Sequence, residues 1–126
     1  MKRTPWTDQE NTALVALYFA MLDKATTGQP YSKAGAIRTA QGNPKPGDSF
    51  GGDDHVPGIF CQLTDRSRGS IEAKLMNASA AHRDLMADAT TMDGFGYRCL
   101  PNYQKSLKDA MNDALLRRDV YAELRA

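Results

Sequence analysis

Thr7 stands three residues ahead of Glu10, and the segment behind them carries apolar side chains at Leu14, Leu17 or Tyr18, Met21 and Leu22. Together these features fix how the chain can begin to fold. In a Thr-x-x-Glu box the hydroxyl and the carboxylate each satisfy an orphan amide of the first helical turn. Apolar residues at three- and four-residue spacing then lay a stripe along that helix, and the stripe must be buried against something. The spacing predicts a first helix from Thr7 to about Lys24, with Asp8, Asn11 and Thr12 on its outer face.

The partners for that stripe are further helices. Thr26, Thr27, Gly28 and Pro30 punctuate the chain, and Ser32 is placed to cap a short second helix through Ile37 and Ala40. From Gln41 to Gly58 the sequence QGNPKPGDSFGGDDHVPG offers turn residues and little apolar area, so a long loop is expected. Asp65, Ser67 or Ser70 can cap a third helix in which Ile71, Leu75, Ala78 and His82 share a face, ending near Met86. A second irregular stretch, Asp88 to Asn102, contains Gly94 and Gly96 for tight turns and aromatic rings to pin it to the core. Beyond Pro101 and Asn102, the residues Tyr103, Leu107, Ala110 or Met111, Ala114 and Leu115 predict a final helix to about Leu124. Arg117, Arg118 and Arg125 complement the negative pole at its end.

At 126 residues the chain suits one domain spanning 1–126. Sixteen basic residues against fifteen acidic ones leave a net charge of +1, so any polyanion must be held by a local patch rather than by overall attraction. Cys61 and Cys99 have no CxxC spacing, which argues against a zinc site or a disulfide framework and for buried thiols in a reducing interior. The first residues lack the anatomy of a secretory signal, and the apolar run Ala13 to Leu22 is far shorter than the roughly 20 residues of a membrane span. A cytoplasmic protein without a membrane segment is expected.

The residues Trp6-Thr7-x-x-Glu10 with Leu14-Val15, followed by Arg66-Ser67-x-x-Ser70-Ile71-x-x-Lys74-Leu75-x-Asn77, resemble a Myb/SANT repeat over roughly residues 3–80. The segments RTPWTDQEN, DRSRGSIEAK and NYQKSL are also similar to a Myb-like module found ahead of nuclease domains in bacterial proteins. The resemblance implies a mainly α fold: a three-helix Myb/SANT-like helix-turn-helix over 3–86, a long loop (41–60) before helix three, and an added long C-terminal helix within 87–126. It implies that Trp6, Leu14, Ile71 and Leu75 pack in the core and that helix three meets DNA. The later tryptophans of many Myb repeats are absent, with Leu75 in one such place. Gly69 and Ala73 stand where family members often place base-reading side chains, so contacts to phosphate outweigh direct readout.

On this reading the DNA-contacting candidates are Arg66, Arg68, Glu72, Lys74 and Asn77. Guanidinium forks and an ammonium bind phosphates, and an asparagine amide bonds a phosphate or a base edge. The bland alternative gives Arg66 and Lys74 to solvated ion pairs with Asp65, Glu72 or helix-one carboxylates, and gives Asn77 to a neighbouring turn. His55 with Asp53 and Asp54 lacks the spaced ligands a metal favours, and His82 on the apolar stripe reads as a satisfied core-edge histidine. Tyr97, Arg98 and Tyr103 form either a recognition patch or an anchor for the last helix. No catalytic group, cofactor or metal is expected. Two partners are: double-stranded DNA, bound by a non-enzymatic module, or a protein, in a phage or mobile-element interaction domain that inhibits a host defence complex. The C-terminal helix is the natural surface for an oligomer.

Overall fold

A computed structural model describes residues 5–28, 32–42, 63–87, 91–92 and 99–125, with side chains as far as residue 118. Four helices follow in chain order: α1 (Asp8–Thr27), α2 (Lys33–Ala40), α3 (Arg68–Leu85) and α4 (Lys105–Arg125). The described residues contain no strand, so the protein is mainly α-helical. Most of the 41–58 stretch, with Asp53, Asp54 and His55, falls outside the described residues, as do Cys61, Tyr97 and Arg98.

The starts of α1, α2 and α3 are each set by a side chain that replaces a missing backbone partner. Thr7 is extended (φ −78°, ψ 163°), its Oγ1 accepts from the Glu10 amide at 3.1 Å, and its own amide donates to Glu10 Oε1 at 2.9 Å. Ser32 caps α2 by accepting from the Gly35 amide. Of the three candidates for α3, Ser67 is the cap, accepting from the Ser70 amide at 3.1 Å. The first helix runs three residues past Lys24, because the Thr26 and Thr27 hydroxyls donate to the Asp23 carbonyl and hold the last turn. Gly28 then ends it in the left-handed region (φ 72°), where a Cβ would be strained.

α4 begins two residues later than the position of Tyr103 suggests. The Asn77 side-chain nitrogen donates to the carbonyls of Leu100 (2.9 Å) and Asn102 (3.1 Å), which holds residues 101–104 in non-helical backbone. Helical bonding starts only with the Leu107 and Lys108 amides, which both reach the Gln104 carbonyl.

α1 is the central element and touches all three other helices, most extensively α4. Leu14, Leu17, Tyr18 and Met21 from α1 meet Ile37 of α2, Ile71 and Leu75 of α3, and Leu107 and Met111 of α4, all essentially without solvent exposure. Asn11, expected on the outer face of the first helix, is instead fully buried, and its Nδ2 donates to Ser106 Oγ at 3.1 Å. The single-stripe pattern assigns α1 one buried face; α4 lies across a second and covers Asn11. Trp6 packs against the edge of this core and stays half-buried.

His82 lies inside, with Nδ1 2.9 Å from the Tyr18 hydroxyl and its ring edge-on to Tyr18 and Phe19. Burial, aided by the Arg118 charge, pushes His82 below the ordinary imidazole value. The unfolded chain therefore takes up a proton near pH 6.5 that the folded chain resists, and stability must fall as pH drops through that point. Urea unfolding is expected to show a loss of up to about 1 kcal/mol between pH 7.5 and pH 5.5. His82→Asn, which keeps a polar atom facing Tyr18, should flatten that slope; an unchanged slope would remove His82 as its source.

Candidate nucleic-acid interface

Three segments far apart in the chain meet at one edge of the core: residues 5–10, residues 66–77 and residues 100–104. Arg66, the residue before the α3 cap, reaches back to the first helical turn. Its Nε donates to Glu10 Oε2 at 2.7 Å, and one terminal nitrogen donates to Glu10 Oε1 (2.7 Å) and to the Pro5 carbonyl (2.9 Å). The guanidinium carbon stands 4.8 Å from the Trp6 ring centroid, a cation–π contact. The Arg66 and Glu10 side chains are only 10% and 15% exposed. Hydrogen bonding to Arg66 holds the Glu10 carboxyl below its ordinary range, and Glu10 in turn raises Arg66. The expected solvated ion pair is thus a shielded one, because Trp6 and the Pro5 carbonyl close around the fork.

Lys74, two turns along α3, approaches the same indole: its Nζ lies 5.3 Å from the Trp6 centroid. The ammonium donates to Gln104 Oε1 at 3.2 Å and makes no ion pair among the described residues. Burial, then repulsion from Arg66, lowers its pKa. Lys74, Asn77, Pro101, Asn102, Tyr103 and Gln104 line an open depression of about 450 Å³. Tyr103 is anchored through its hydroxyl to the Asp84 carboxylate, which raises its pKa to about 12, chiefly through that hydrogen bond.

The five candidates therefore divide. Arg68 pairs with Glu72 one turn on, at 2.9 Å, and the Arg68 side chain is 63% exposed. Gly69 and Ala73 share this open side, where a Cβ built on Gly69 would meet nothing within 4 Å. Lys74 and Asn77 turn toward the segment ahead of α4, and Arg66 turns toward α1. Asn102 and Gln104 belong to the same depression and escaped sequence reasoning, which read this region through Tyr97, Arg98 and Tyr103 as either a recognition patch or an anchor for the last helix. That segment's polar run directly after Pro101 was the one available signal.

A second concavity, of about 350 Å³, lies between α1 and α4 and is lined by Val15, Phe19 and four alanines, Ala16, Ala20, Ala110 and Ala114. Arg118, on its wall, pairs with Asp23 at 2.7 Å and stands 4.3 Å over the Phe19 ring. Cys99 is half-buried and unbridged. No group of three or more potential metal ligands occurs among the described residues, and none of their helices is long and apolar enough to cross a membrane. No family model, curated protein or solved structure matches this chain.

Proposed function

We propose that this chain is a non-enzymatic, cytoplasmic DNA-binding module of Myb/SANT-like helix-turn-helix type, which holds phosphates with the first half of α3 and the segment ahead of α4. The observation that carries this reading is Lys74: a half-buried ammonium at the mouth of a polar depression, beside a second cation, whose partners among the described residues are a neutral amide and the Trp6 ring rather than a carboxylate. A bound anion relieves both the lost hydration and the repulsion from Arg66. Arg68 adds an exposed guanidinium, paired with Glu72, on the same helix, and the small side chains at Gly69 and Ala73 let a duplex come close to the helix backbone. Recognition of this kind fixes position on the phosphate chain and reads sequence weakly.

The test is fluorescence anisotropy with a labelled random-sequence duplex. With Lys74 and Arg68 each neutralising one phosphate, the affinity should fall about tenfold between about 50 mM and about 200 mM salt. Salt-independent binding, or no binding, overturns the reading and leaves the protein-interaction domain as the surviving hypothesis.

A further inference from the structure

We infer that Lys74, Gln104 and Asn102 together seat a single phosphodiester of the DNA backbone, and that Arg66 contacts no phosphate. This rests on the DNA-binding reading and assigns its central contact. The charges at the interface are mostly matched already: Glu10 offsets Arg66 and Glu72 offsets Arg68. Lys74 is the one cation of these three that pairs with no carboxylate among the described residues. A diester, with one negative charge, complements it without leaving a residue of like charge, whereas a dianionic monoester over-compensates.

The hydrogen-bond donors converge on the same place. The ammonium has three N–H groups and directs one at Gln104 Oε1. That bond orients the Gln104 carboxamide, whose Nε2 bonds nothing among the described residues. Asn102 is exposed on the same rim, and its side chain is likewise unbonded among the described residues. Asn77 is different: both N–H groups of its amide are taken by the Leu100 and Asn102 carbonyls, so it shapes the depression and donates nothing into it. The depression is open rather than closed, as a polymer passing across it requires. Arg66, with its fork closed around Glu10 and the Pro5 carbonyl, supports Trp6 beneath Lys74.

Duplex titrations of Lys74→Gln and Asn102→Ala test the assignment. Lys74→Gln should weaken binding about tenfold and make the slope of log affinity against log salt shallower by about 0.9, the loss of one phosphate contact. Asn102→Ala should weaken binding about threefold with the slope unchanged, since it removes a neutral donor. Arg66→Lys should leave the slope as it is. If the wild-type protein binds duplex and Lys74→Gln matches it in affinity and slope, this assignment falls while DNA binding stands; if the wild-type protein does not bind, the underlying reading falls. Should Lys74→Gln fail to fold, the wild-type protein still decides: the Gln104 and Asn102 side-chain amide resonances must shift on adding duplex, and unmoved resonances overturn the proposal. Inorganic phosphate at matched ionic strength should shift them only weakly; saturation at micromolar concentration would assign the site to free phosphate instead.

Discussion

Cut after residue 102, the chain is expected to lose its cooperative unfolding transition rather than shed a dispensable tail. Leu107 and Met111 are fully buried, and burial of each stabilises the fold by about 1.5–3 kcal/mol. Their loss alone, roughly 3–6 kcal/mol, approaches the total stability of a small domain, about 5–15 kcal/mol. Removing α4 also uncovers Asn11, Val15 and Phe19 on the second face of α1 and takes away the Ser106 partner of Asn11. Urea denaturation of the shortened and whole chains, followed by circular dichroism, checks this. A retained sigmoidal transition would show that three helices suffice and that the final helix is an appendage.

Glu10→Ala should cost about 2–4 kcal/mol, between the small effect of an exposed ion pair and the 3–5 kcal/mol of a buried pair broken on one side. The alanine leaves the Arg66 fork shielded beside Trp6 without its counter-charge and removes one half of the capping box. Glu10→Gln should cost only about half as much, because glutamine also closes a capping box and still accepts from Arg66. The pair gives a pH signature as well. The folded carboxyl sits below its ordinary value near 4.5, so its contribution is fully present above that value and lost as pH falls through the folded one. Between pH 5 and pH 3 the wild type should lose more stability than Glu10→Gln. A loss under about 1 kcal/mol for Glu10→Ala at neutral pH would mean the pair is no more than an exposed one.

The polar interface was only partly readable because its parts act at a distance. Arg66 and Lys74 stood out as cations near a predicted helix start, yet nothing in the order of residues says that Glu10, fifty-six positions earlier, closes on one of them and leaves the other without a counter-ion. Asn77 shows the same limit. Its amide type suggested a bond to a phosphate or a turn, and its actual partners are two carbonyls more than twenty residues ahead. Gln104 meets Lys74 from the non-helical segment 101–104, which the Asn77 bonds hold in place.

What the sequence determined by itself was local: the Thr7–Glu10 box, the Ser32 cap, a start for α3 among Asp65, Ser67 and Ser70, and the buried face of α3 through Ile71, Leu75, Ala78 and His82. These follow from interactions three or four residues apart, where the covalent chain already brings the partners together. The tertiary structure decided that α4 crosses the second face of α1, that Asn11 goes inside, and that Lys74 keeps an unmatched charge. Each of these depends on which segments pack against one another, and residue spacing within a helix carries no record of that choice.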